Sequence, residues 1–169
     1  MTLKLSKRSE IPSFRALSNL AAVNSRVQAG EDIKRLEAGQ PCFGLPDSVL
    51  AYARERLQMD KMQGYTDSQG MQLLRARIAR HIQDDYDCEV DFNRILLTMG
   101  SSGGLVMSFL AAFDAGDKVG VCTPTYAAYR NMLLAMDIEV VEIPTTDETN
   151  YQPTRELLDK YGAGLEGLV

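Results

Sequence analysis

The stretch Ile95-Leu96-Leu97-Thr98-Met99-Gly100-Ser101-Ser102-Gly103-Gly104-Leu105 sets two serines and three glycines between two apolar segments. The chemistry open to such a stretch is holding an anion. Ile95–Thr98 reads as a buried strand and Leu105–Phe113 as a helix, with the small residues forming the turn between them. Backbone N–H groups at a helix start have no intrahelical acceptor, and the aligned peptide dipoles place about half a positive charge there. Serine hydroxyls add donors, and glycine lets a ligand approach the backbone. Gly100, Ser101 and Ser102 are therefore expected to cradle the phosphate of a small molecule. No Gly-Lys-Ser/Thr follows and G-x-G-x-x-G is not matched, so the turn is neither a nucleotide-triphosphate loop nor a dinucleotide fingerprint.

A second candidate is Tyr126. The apolar segment Lys118–Cys122 runs into Thr123-Pro124-Thr125-Tyr126-Ala127-Ala128-Tyr129. In open α/β sheets ligands sit beyond the carboxyl ends of the strands. Tyr126 is thus expected on the same rim as Gly100–Ser102, where its ring can stack on a flat ligand. The competing expectation is that Tyr126 and Tyr129 pack locally at a helix start.

The elements that must position these residues follow from periodicity and punctuation. Residues 1–12 read as a polar arm, and Ser13 as the cap of a helix to about Ala29, with Phe14, Leu17, Leu20, Ala21 and Val27 mostly on one face and Gly30 as its stop. Residues 33–36 read as a short strand, and Gly39–Asp47 as a loop constrained by two prolines. Asp47 opens a helix to about Asp60, and Gly64–Gly70 is a loop. The next helix carries Leu74, Ile78 and Ile82 at a spacing of four, and a turn spans Asp87–Asn93. Then strand and helix alternate: Ile95–Thr98, a helix to Phe113, Lys118–Cys122, a helix from about Thr125 to Met136, and Ile138–Ile143. That order predicts an α/β fold with a mostly parallel sheet. A polar loop at Thr145–Asn150 and a helix near Thr154–Tyr161 follow. Leu165–Val169 reads as the start of a further buried strand, so the 169 residues are expected to be part of a longer sequence.

Composition narrows the function class. The formal net charge is −5 without any basic block, which disfavours a nucleic-acid partner. Cys42, Cys88 and Cys122 are odd in number and widely spaced, as expected of reduced thiols in the cytoplasm. No segment approaches the roughly 20 apolar residues of a membrane span. His81 is the only histidine, so a multi-histidine metal site is excluded, and it reads as a surface or boundary residue of its helix.

Taken in order, three blocks of the chain resemble the N-terminal part of class I/II pyridoxal-phosphate-dependent aminotransferases, the fold-type-I group. Leu36-Glu37-Ala38-Gly39-Gln40-Pro41 is similar to the family's L-x-x-G-x-P-D-F. Tyr65-Thr66-Asp67-Ser68-Gln69-Gly70-Met71-Gln72-Leu73-Leu74-Arg75 is similar to Y-x-x-x-x-G-x-x-x-L-R. Thr98–Ser102, Ala115-Gly116-Asp117-Lys118-Val119 and Pro124–Tyr129 are similar to T-x-G-x-x, P-G-D-x-V and P-x-Y-x-x-Y. The resemblance covers about Pro12 to Val169. Cys42 stands where the family often has Asp, and Ala115 replaces a common proline.

The resemblance implies a three-layer α/β sandwich, here incomplete, with residues 1–45 forming an arm, a helix and the start of a small domain. Residues 46–169 would form the first part of the large cofactor-binding domain. It implies pyridoxal 5′-phosphate as cofactor, held at its phosphate by Gly100, Ser101 and Ser102 and stacked by Tyr126. Tyr65 would reach the cofactor phosphate of the other subunit of a homodimer, and the Gly39 N–H would contact the substrate carboxylate. Arg75 would be a structural helix residue. The implied activity is amino transfer between an amino acid and a 2-oxo acid. The family's Schiff-base lysine, with its ring-binding aspartate, asparagine and tyrosine and its carboxylate-binding arginine, is expected beyond Val169, so no catalytic residue is assigned within the chain and the chain alone is expected to be inactive. Other fold-type-I enzymes (a carbon–sulfur lyase or a cyclopropane-forming synthase) share these blocks. A non-catalytic cofactor-binding remnant, or the cofactor-binding half of a transcription regulator, is the reading from outside the enzymes.

Overall fold

The structure is a computed structural model that describes residues 4–59 and 64–169. Two compact units divide the chain: Met1–Ala38 with Ser102–Val169, and Gly39–Ser101.

The first unit is built on three parallel strands, β1 (Lys118–Thr123), β2 (Glu139–Pro144) and β3 (Gly167–Leu168), in the order β2-β1-β3. β1 pairs with β2 from Lys118↔Glu139 to Thr123↔Pro144, and with β3 at Val119↔Gly167 and Gly120↔Leu168. Val119 and Val121 are fully buried, as a central parallel strand covered on both faces requires. With Phe109, Leu133 and Ile138 they form the core. Phe109 comes from α4 (Gly100–Ala112) and Leu133 from α5 (Ala128–Ala135). α6 (Arg155–Tyr161) packs with α5 against β2 and is capped by Thr154, whose hydroxyl accepts from the Leu157 N–H at 3.3 Å. β1, β2 and α6 fall where periodicity puts them. The terminal apolar segment supplies β3.

α1 (Arg15–Gln28) ends at Gly30 as expected but is not capped by Ser13. Phe14 holds the cap position, its carbonyl accepting from the Leu17 and Ser18 amides, so the Ser13 hydroxyl stands too early and lies 3.4 Å from that of Ser18. The helix buries little: Phe14 and Leu20 are half-buried, whereas Leu17 is 62% exposed. Residues 33–36 are not a strand. Arg35 there bonds the Asn24 and Glu37 side chains, and no neighbouring strand offers a ladder.

The second unit holds α2 (Asp47–Met59) and α3 (Gln72–Tyr86). The expected α2 end at Asp60 lies outside the described residues. On α3, Ile78 and Ile82 are half-buried and Leu74 is exposed, while the one buried residue is Arg75. Its guanidinium donates to the Gly70 carbonyl (3.2 Å), the Gln69 Oε1 (3.0 Å) and the Phe92 carbonyl (3.2 Å), and lies 5.6 Å from the centre of the Phe92 ring. Arg75 is thus the structural residue expected of it. His81 is exposed, 3.3 Å from Asp85 one turn on.

Two expectations around the glycine–serine stretch are corrected. Ile95–Thr98 carries no strand. It is extended at Ile95 (φ −98°, ψ 127°), but its Leu97 amide bonds the loop carbonyl of Gln69, and no described strand pairs with it. Extended backbone becomes a strand only through a partner's N–H and C=O groups. And α4 starts at Gly100, not Leu105, so the small residues form its first turn. Glycine inside a helix costs about 1 kcal/mol relative to alanine, which the anchoring of Leu105 and Phe109 in the core offsets.

Candidate functional site

Gly100 enters α4 with φ +72°, a conformation side chains rarely adopt, and a Cβ built there would meet nothing within 4 Å. The Gly100 amide donates to the Thr98 carbonyl (2.9 Å), and the Thr98 hydroxyl donates to the Gly100 carbonyl (2.8 Å). That closed pair fixes the approach to the helix. Ser101 and Ser102 follow in the first turn, exposed, with amides that have no intrahelical carbonyl to reach. The donors and the open space above Gly100 suit an anion at the positive end of a thirteen-residue helix.

Tyr126 emerges past the carboxyl end of β1. Thr145 fixes that end: both its amide (2.8 Å) and its hydroxyl (2.9 Å) donate to the Thr123 carbonyl, and Thr145 itself is buried. The Thr123–Pro124 peptide is cis, and α5 begins only at Ala128, three residues later than Thr125. Tyr126 therefore sits in the connection, 47% exposed, its carbonyl accepting from the Tyr129 amide at 3.1 Å. Its ring meets Tyr129 edge to face (centroids 5.3 Å, 78°) and Phe14 likewise (5.2 Å, 84°). Local packing of Tyr126 and Tyr129 thus coexists with a half-open ring.

Ser102 and Tyr126, 24 positions apart, line one groove of about 480 Å³ together with Phe14, Leu17, Asn131 and Met132. The groove thus sets the exposed first turn of α4 and a half-exposed aromatic ring beside an apolar wall. Phe14 enters it without warning from the sequence, which offers only an apolar residue at a helix start.

Gly39 and Tyr65 belong to the second unit. Gly39 lies in an exposed loop with open space around it. Tyr65 is fully exposed in the loop before α3 and lines a shallow depression with Asp67, Met71 and Gln72. That loop is closed by the Gly70 amide on the Asp67 carbonyl (2.8 Å) and held by Arg75. Among the described lysines, Lys118 is at the amino end of β1, away from Tyr126, and pairs with Glu139 at 3.3 Å. Lys160 lies over the Tyr161 ring at 4.9 Å. Burial pushes the half-buried Cys122 thiol above its ordinary value, so it stays protonated at neutral pH. No described helix is long and apolar enough to cross a membrane.

The profile of the family described as "Aminotransferase class I and II" matches residues 31–163. The chain is 38% identical over its whole length to a valine–pyruvate aminotransferase of Mycobacterium tuberculosis, covering 43% of that protein. It is 31% identical over 88% of its length to an aspartate aminotransferase of Thermotoga maritima, covering 39% of that protein. Among solved structures, an aminotransferase from Mycobacterium tuberculosis superposes on 99% of the chain with a TM-score of 0.90 at 37% identity, over 43% of the solved chain. An aspartate aminotransferase from Thermus thermophilus with maleate superposes on 95% with a TM-score of 0.82 at 30% identity, over 42% of the solved chain. The chain thus spans less than half the length of the relatives it matches, and its fold is their fold-type-I α/β architecture in part. The chain belongs to the class I and II aminotransferase family.

Proposed function

We propose that the chain forms the phosphate- and ring-holding half of a pyridoxal 5′-phosphate site in an enzyme that transfers an amino group between an amino acid and a 2-oxo acid. The observation that carries this reading is the single groove lined by both Ser102 and Tyr126. The residues fit the cofactor. Its phosphate needs several donors at short range, and the first turn of α4 offers two free amides and two hydroxyls. Its ring needs a flat, apolar neighbour, which Tyr126 provides while half exposed. When bound, the cofactor supplies the electron sink for the pair released as a proton leaves the substrate's Cα.

This chain's residues bind and orient. Gly100, Ser101 and Ser102 hold the phosphate, and Tyr126 fixes the plane of the ring. The Gly39 N–H donates to the substrate carboxylate. Tyr65, exposed among the described residues, reaches the phosphate held by the second subunit of a homodimer. In this family moving the proton falls to a Schiff-base lysine, and no described lysine lines the groove. Residues 1–45 serve as arm, helix and start of the small domain, and 46–169 as the first part of the cofactor-binding domain. Free thiols accord with a reducing cytoplasm.

The test uses the natural full-length product. Visible absorbance before and after borohydride, with the intact mass, should reveal a cofactor trapped covalently on a lysine. Adding amino-acid donors with a 2-oxo acid should then give turnover. Absence of both the band and the adduct would favour a non-catalytic remnant.

A further inference from the structure

We propose that Phe14 is a positioning residue for Tyr126, set in place by a tether between the N-terminal segment and α5. The inference rests on Tyr126 being the ring that stacks on the cofactor.

Tyr126 lies outside α5, so its backbone alone does not restrain its side chain, and its half-exposure leaves rotamers open. Two edge-to-face contacts close that freedom. Tyr129 supplies one from the next helical turn, a neighbour fixed by local geometry. Phe14 supplies the other from the start of α1, at 5.2 Å and 84°. Rotation of the Tyr126 ring would break both contacts at once, since each depends on near-perpendicular planes.

Phe14 is itself held. Its carbonyl accepts from the Leu17 and Ser18 amides in the first turn of α1. The preceding carbonyl but one, that of Pro12, accepts from the Asn131 Nδ2 of α5 at 3.0 Å. Further back, Arg8 donates to the Ala135 carbonyl and pairs with Asp137, at the far end of the same helix. Polar contacts from the middle of α5 and from its carboxyl end thus lay the segment along that helix, and Phe14 arrives against the Tyr126 ring, two residues before α5 begins.

The experiment measures cofactor dissociation from the full-length holoenzyme by equilibrium dialysis, and the induced visible circular dichroism of the bound cofactor, in Phe14→Leu, Phe14→Trp, Tyr126→Ala and the Phe14→Leu/Tyr126→Ala double variant. A cofactor-free arm follows nitration of Tyr126 in the apoprotein by mass spectrometry. Phe14→Leu should weaken retention by about two- to tenfold, the worth of one aromatic pair, and reduce the dichroism. Phe14→Trp, which keeps an aromatic edge, should restore both. In the Tyr126→Ala background Phe14→Leu should have no further effect. Nitration of Tyr126 should quicken in Phe14→Leu. Unchanged or tighter retention in Phe14→Leu, while Tyr126→Ala loses the cofactor, overturns the positioning role and leaves the function standing. Unchanged retention in Tyr126→Ala overturns the stacking reading instead, and the proposal with it. Equal losses in the single variant and the Tyr126→Ala background would mark Phe14 as merely structural and also overturn the proposal. Should Phe14→Leu fail to fold, Asn131→Ala, which releases the Pro12 carbonyl, must reproduce the faster nitration or the proposal falls.

Discussion

Replacing Arg75 by methionine should loosen the loop that carries Tyr65 without unfolding the first unit. Arg75 is 5% exposed, and its charge ends on neutral acceptors: the Gly70 and Phe92 carbonyls and the Gln69 side chain. A hydrogen bond involving a charged group contributes about 1.5–3 kcal/mol, so three would exceed the several kcal/mol that burying the ion costs. Methionine keeps most of the volume and removes that desolvation cost, but it leaves three acceptors without donors. The net loss should be about 2–3 kcal/mol, felt where the acceptors are. The Gly70 amide (on the Asp67 carbonyl, 2.8 Å) and the Leu97 amide (on the Gln69 carbonyl, 3.0 Å) report on that place directly. Hydrogen exchange in the full-length product should show both amides opening about 30- to 150-fold faster, while Val121 in β1 keeps its protection. Arg75→Lys keeps the charge but not the fork that spans three acceptors, and should fall between. Gly70 and Leu97 amides exchanging within twofold of wild type in Arg75→Met would refute the argument that this cation organises the loop.

Gly70→Ala should cost about 2–4 kcal/mol in urea unfolding, because the glycine sits at φ +92° and a Cβ would come within 2.6–2.7 Å of the Leu97 Cδ1, Cβ and Cγ atoms. Leu133→Ala removes a fully buried side chain from the core beneath β1 and should cost about 2–5 kcal/mol, read as a lowered denaturation midpoint at unchanged slope. Iodoacetamide at neutral pH should label the exposed Cys42 and Cys88 well before Cys122, whose burial disfavours the thiolate; peptide mapping that finds Cys122 labelled first would contradict this.

Much of the fold is legible along the chain because it is locally encoded. The valines and isoleucines of β1 and β2 need only be β-branched and apolar to be read as covered strands, and the helix near Thr154–Tyr161 is read from its own residues. The residue types of Gly100–Ser102 mark the start of α4, and those of Thr123–Tyr129 mark the connection from β1 to α5. Where the sequence misleads, the deciding atoms are distant. Ile95–Thr98 has the composition of a strand, but a strand is defined by a neighbour's hydrogen-bonding groups, and its Leu97 amide finds a loop carbonyl instead. The glycines of α4 suggest a turn through residue 104, yet packing of Leu105 and Phe109 into the core draws the helix back to Gly100 and turns a loop cradle into a helix start.

The sequence by itself determined the order β1, α5, β2, α6 and the family, since these depend on residue type and spacing alone. Only the tertiary structure decided that Phe14 crosses from the N-terminal segment to meet Tyr126, and that Arg75 is buried against the Phe92 carbonyl as well as the Gln69–Gly70 loop. The Phe14–Tyr126 and Arg75–Phe92 contacts join separate segments of the chain, fixed by which surfaces folding brings face to face, and no local preference of the residues involved encodes them.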